Sequence, residues 1–133
     1  MAQVALAQKQ TTHDRSTLES VIGLYLDGLY EGDTSKLAAA FDASADLRWT
    51  EDGKLKVLTV PDWLERVKNR PSGKSQNQPR EDFVVTVDRS DEGTAFVKLR
   101  CQLPPRYFTD YLVFMKLTDG WTIVSKSYRQ DVR

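Results

Sequence analysis

The spacing of apolar positions changes along this chain, from every third or fourth residue near the N-terminus to every second residue toward the C-terminus. Between Asp14 and Glu31, the residues Leu18, Val21, Ile22, Tyr25, Leu26 and Leu29 form one stripe of an amphipathic helix. Asp14 or Ser16 is suited to cap its start, and Gly32 to end it in a left-handed conformation. Gly23 and Gly28 lie inside this helix, where glycine costs up to ~1 kcal/mol against alanine, so a close packing contact is expected there. Asp33 or Thr34 then caps a short second helix, Ser35 to Phe41, whose Leu37 and Phe41 face the same core.

Asp46–Thr50 and Leu55–Val60 read as two strands joined at Glu51-Asp52-Gly53-Lys54, a strong hairpin signal. Thr59-Val60-Pro61-Asp62 carries helix-start chemistry, and the following helix sets Trp63, Leu64 and Val67 on one side before ending near Asn69. Arg70 to Arg80 holds two prolines, a glycine and several polar residues, which predicts a mobile loop without an apolar anchor. Four strands follow, Asp82–Asp88, Thr94–Leu103, Phe108–Leu117 and Trp121–Tyr128. The order of elements predicts an α+β fold, a curved antiparallel sheet packed on N-terminal helices. A single domain is expected over residues 14–131, with residues 1–13 as a flexible N-terminal segment.

The last hairpin carries a second expectation. A type I turn through Thr118-Asp119-Gly120, with the glycine left-handed, pairs Leu117 with Trp121, and the faces then follow from period two. One face holds Tyr111, Val113, Met115 and Leu117 beside Trp121, Ile123, Ser125 and Ser127. The other holds Asp110, Leu112 and Phe114 beside Thr122, Val124, Lys126 and Tyr128. Both faces are apolar, which a sheet with one wet side would not be. One face is expected to cover the helices and the other a second copy of the chain, so a homodimer through the sheet is expected. Asp110 and Lys126 share a largely apolar face, where an acid and a base are expected to pair or to lose their charge.

Composition narrows the function classes. Nineteen basic and 19 acidic residues among 133 leave no net charge, which lacks the basic excess of a nucleic-acid binder. A chain of this length buries roughly two thirds of its unfolded surface, so it needs neither disulfide nor metal to fold. Cys101 is the only cysteine and reads as a small buried hydrophobe or, alternatively, a reactive thiol. With His13 as the only histidine, a Cys/His zinc site is excluded, and no metal or cofactor is expected. No apolar run approaches the ~20 residues of a membrane span. The apolar stretch in Met1–Gln10 is too short for a signal peptide, so a cytoplasmic location is expected, or a periplasmic or secreted one if a signal was removed.

Two stretches carry a family resemblance. The run Tyr25-Leu-Asp-Gly-Leu-Tyr-Glu-Gly-Asp33, followed by Leu37 and Phe41, resembles the helix 1–helix 2 signature of the nuclear transport factor 2-like superfamily, also called the cystatin-like or SnoaL-like cone. Asp110-Tyr-Leu with Lys116, then Gly120-Trp-Thr-Ile-Val-Ser-Lys126, is similar to its putative lumazine-binding branch, and the likeness spans Leu18 to Arg129. The resemblance implies the cone fold and a pocket inside it. Several members are cofactor-free enzymes, among them ketosteroid isomerase, scytalone dehydratase and polyketide cyclases. The isomerase's oxyanion-hole tyrosine, eight residues before the Gly-Asp aspartate, matches Tyr25. Its general-base aspartate, eight residues after the helix 2 phenylalanine, falls on Trp49. An indole cannot take a proton from a C–H acid, which argues against the isomerase mechanism, and the flanking Asp46 and Glu51 do not replace the base at strand spacing.

The leading expectation is a small-molecule-binding domain with an apolar pocket for a small apolar or ring-bearing ligand. Its expected binding residues are Tyr25, Trp49, Trp63, Asp110, Leu112, Phe114, Lys126 and Tyr128. Asp110, Lys126 and Tyr25 are the catalytic candidates if the chain is instead a cofactor-free isomerase, dehydratase or cyclase. A third alternative is a non-catalytic dimerisation or association module. Each candidate also has a plain structural role: Tyr25, Trp49 and Trp63 as core aromatics, and Asp110 with Lys126 as a satisfied ion pair. The net basic segment Arg70 to Arg80 either closes over the pocket mouth or is a solvated loop.

Overall fold

In the computed structural model, which describes residues 13–91 and 93–133, Thr17 caps the first helix by accepting from the Ser20 amide. Asp14, expected in that role, instead accepts from the Ser16 amide just upstream. Helix α1 (Leu18–Glu31) buries the predicted stripe and ends at Gly32, whose φ of 67° is the left-handed cap that favours glycine. Asp33 caps α2 (Thr34–Ala40) through the amides of Ser35 and Lys36. At Gly28 a Cβ would lie 2.7 Å from Leu37 Cγ, so the expected close contact is between α1 and α2. Gly23 has open space instead. The expected flexible segment 1–13 lies, apart from His13, outside the described residues.

Strands β1 (Asp46–Glu51) and β2 (Lys54–Thr59) form the first hairpin, and Thr59 caps α3 (Val60–Asn69) with Pro61 in its first turn. Strands β3 (Phe83–Ser90), β4 (Thr94–Leu103), β5 (Arg106–Leu117) and β6 (Gly120–Val132) form the meander. The open six-stranded sheet has the order β2-β1-β6-β5-β4-β3. Leu47 and Arg48 of β1 pair in parallel with Lys126 and Ser127 of β6, which makes the sheet mixed where an antiparallel one was expected. Tight turns force antiparallel neighbours, but β1 and β6 are joined by most of the chain and escape that rule. The helices cover the inner face, with α1 and α2 packed on each other and on β6, and α3 against α2 and β2.

The last hairpin departs from the expected register. Leu117 pairs with Gly120 and Lys116 with Trp121, one residue away from expectation. Val124 is then left over between the pairs Phe114↔Ile123 and Val113↔Ser125, and this bulge restores the expected pairing from Val113 onward. Trp121 and Ile123 therefore move to the inner face and are buried, while Leu112 and Lys126 stay opposite each other as predicted. The segment 70–80, expected to be mobile, is pinned by polar contacts. The Lys74 amide donates to the Tyr30 carbonyl at 3.0 Å, the Tyr30 hydroxyl to the Gln78 carbonyl at 2.8 Å, and Gln78 Nε2 to the Pro104 carbonyl at 2.9 Å.

Candidate functional site

Antiparallel pairing lines up three rows on the inner face: Cys101, Phe108 and Gln130; Leu99, Asp110 and Tyr128; Val97, Leu112 and Lys126. Helix α3 lies opposite; its three-residue spacing sets Trp63 and Arg66 along one side, and Arg70 follows as its C-cap. Between them is a cavity of about 270 Å³, with Asp110, Lys126 and Cys101 on its wall and Trp63, Phe108 and Tyr128 as its aromatic sides. Arg66, Arg70 and Arg106 border the same cavity, so its lining is mixed where an apolar one was expected.

The polar groups are buried and unevenly satisfied. Tyr25 is fully buried, and its hydroxyl donates to Asp110 Oδ2 at 2.5 Å. Cys101 Sγ donates weakly to the same oxygen at 3.8 Å. Asp110 is 1% exposed, and its Oδ1 has no hydrogen-bond partner. Lys126 does not form the expected ion pair; it joins none of the salt bridges among the described residues. Its Nζ instead sits 4.7 Å from the ring centre of Trp63, 4.9 Å from Tyr128 and 5.2 Å from Tyr25, a cage of three π faces.

Burial sets the proton affinities. It pushes the Tyr25 hydroxyl and the Cys101 thiol well above their ordinary values, and the charge of Asp110 adds to both shifts. Both groups are held protonated by burial and serve as donors, which favours the buried-hydrophobe reading of Cys101 over the reactive thiol. Burial pulls the Lys126 ammonium below its ordinary value, partly offset by Asp110. The site thus holds an acceptor oxygen in want of a donor beside an ammonium that burial has made easier to deprotonate. Such a pair can orient a polar ligand group or pass a proton to it. Among the described residues, no group of three or more His, Cys, Asp or Glu side chains is arranged to hold a metal.

Of the eight residues expected to bind ligand, Trp63, Asp110, Lys126 and Tyr128 border the cavity. Tyr25 reaches it through Asp110, and its ring packs in the core against Phe41 at 5.7 Å. Leu112 and Phe114 are wholly buried core residues away from the cavity wall. Trp49 lies behind Tyr128, ring centres 5.5 Å apart, and lines a separate pocket with Thr50, Glu51 and Gln130. Arg66 and Arg106 were not expected in the lining, and Arg70 was expected there only as the start of the basic segment 70–80. The helical spacing from Trp63 marks Arg66, but nothing local marks Arg106, which arrives after the Pro104-Pro105 turn.

Residues 13–129 match the family model described as putative lumazine-binding. No curated protein matches the chain. Among solved structures, an NTF2-like protein of unknown function from Shewanella baltica aligns at a TM-score of 0.75 and 18% identity, covering 98% of this chain and 97% of that one. A ketosteroid isomerase-like protein from Erwinia carotovora atroseptica aligns at 0.66 and 12% identity, covering 87% and 95%. A cystatin-like fold protein from Burkholderia xenovorans aligns at 0.64 and 14%, covering 87% and 90%. At these identities the likeness establishes the nuclear transport factor 2-like, or cystatin-like, fold and nothing finer.

Proposed function

The chain belongs to the putative lumazine-binding family, and from that premise we propose that its cavity holds a small ring-bearing molecule whose polar group is anchored by Asp110 and Lys126. The observation that carries this reading is Asp110 Oδ1, a buried acceptor on the cavity wall without a donor. Leaving such a group unsatisfied costs about 1–3 kcal/mol or more, a deficit that a ligand donor would remove. Size supports the same reading. A cavity of ~150 Å³ accepts benzene, so 270 Å³ suits a body of two rings. The family description names lumazine, itself a fused two-ring compound. Native mass spectrometry of protein purified from its own host tests the proposal. A bound small molecule retained by wild type and lost in Asp110→Asn is expected; wild-type protein with no bound mass in the small-molecule range, and no ligand taken up from its host extract, contradicts it.

A cofactor-free acid–base enzyme is the second reading, supported by the lowered proton affinity of Lys126 beside Asp110. Trp49 supplies no proton acceptor and lies off the cavity, so the candidates for such a reaction are Asp110, Lys126 and, through its bond to Asp110, Tyr25. Turnover that Asp110→Asn abolishes with the fold intact is its requirement. We further propose that the outer sheet face pairs with a second copy. Tyr111 is 40% and Met115 41% exposed there, and large apolar side chains grouped on a sheet face are the usual material of an interface. Light scattering at micromolar concentration should report a dimer that Tyr111→Glu converts to monomer.

A further inference from the structure

The basic rim of the cavity says more about its ligand. Arg15, Arg48, Arg80, Arg89 and Arg129 each find a carboxylate; Arg100 and Arg133, away from the cavity, do not, and neither do Arg66, Arg70 and Arg106, the three arginines that border it, among the described residues. Asp82, an acid in the same lining, is engaged by Arg80 Nε at 2.8 Å, and Arg80 also holds Asp27 at 2.7 Å. Arg70 is half-buried, and burial together with the neighbouring charge of Arg106 pulls its proton affinity down. Two like charges are therefore held together in a partly dry site. The polarity of α3 accounts for basic residues in its last turn. It does not account for Arg106, which β5 brings to the same rim from the other side. The concentration is local, because the whole chain has no net charge.

Resting on the small-molecule reading, we infer that the ligand is an acid: a ring-bearing molecule whose carboxylate or phosphate is clasped by Arg66, Arg70 and Arg106 at the cavity mouth. Guanidinium forks match either group in geometry and bind it with charge-assisted hydrogen bonds. Its rings would lie among Trp63, Phe108 and Tyr128, leaving Asp110 and Lys126 for a polar substituent at the inner end.

Calorimetry of the full chain with 2-naphthoate, 2-naphthyl phosphate and the uncharged 2-naphthamide tests this. At about 50 mM salt, at least one of the two acids should bind roughly tenfold or more tightly than the amide. The tighter of the two identifies the anionic group. Arg70→Gln combined with Arg106→Gln should bring the acid-to-amide affinity ratio to about one, and Arg106→Gln alone, at an exposed strand start where the fold is least disturbed, should lower that ratio. Lys54→Gln, at the distant β1–β2 turn, should keep it. Equal binding of acids and amide, or a preference that survives the arginine substitutions, overturns the inference and leaves the small-molecule reading standing. Failure of all three compounds to bind overturns both.

Discussion

Tyr111 and Leu112 are neighbours in one strand, yet Tyr111 is 40% exposed while Leu112 has no exposed surface. The same alternation runs along β5, with Phe108, Asp110, Leu112 and Phe114 turned toward the helices and Tyr111, Val113 and Met115 turned away. The residue types on the two sides are similarly apolar, so composition does not decide which side is core. Coverage does: α1, α2 and α3 press on one side, and among the described residues no helix packs on the other. The inner side also carries the groups that a plain core would reject, Asp110 and Lys126. A sheet built only for stability would place leucine there.

The contrast should be largest in stability. Phe114→Ala removes a wholly buried ring and should destabilise the fold by about 3–5 kcal/mol, whereas Met115→Ala, one residue along, should change it by less than about 0.5 kcal/mol in the monomer. Denaturant unfolding of the two variants checks this. Equal losses would mean that both faces are core.

Tyr25→Phe deletes one hydroxyl and leaves Asp110 Oδ2 only the weak donor Cys101 Sγ, so a loss of about 1–3 kcal/mol is expected. A neutral outcome would mean that water or Lys126 takes over the bond.

Lys126→Met separates the polar role of the inner face from its packing. The folded ammonium loses its proton more easily than the unfolded one, whose ordinary value is 10.5. Between the lowered folded value and 10.5 the unfolded chain binds more protons, so wild-type stability should rise with pH in that window. The difference between wild type and Lys126→Met should grow in favour of wild type as pH climbs toward 10.5, then level off. Referring wild type to the variant cancels the opposing pull of Tyr25 and Tyr128, whose raised values act above 10. A flat difference would place Lys126 in water.

How much of this was legible in the chain depends on how local the cause is. The caps at Asp33 and Thr59, the left-handed Gly32 and the Asp52-Gly53 turn are written in neighbouring residues, and the elements they bound followed. The bulge at Val124 adds one residue without any glycine or proline to mark it, so Trp121 and Ile123 were assigned to the wrong face. The parallel contact of β1 with β6 and the anchoring of segment 70–80 on the Tyr30 carbonyl are made by backbone groups, which every residue carries. In the site, period two sufficed to bring Asp110 and Lys126 to one face. It could not show that aromatic rings rather than a carboxylate surround the ammonium, nor that Arg106 meets Arg70 across the cavity mouth.

The most direct measurement is a high-resolution crystal structure of protein purified from its own host. Electron density for a small molecule in the 270 Å³ cavity, with a donor within hydrogen-bond distance of Asp110 Oδ1, is the predicted result. A cavity closed by its own side chains, with Lys126 turned onto Asp110 as a completed ion pair, would contradict it.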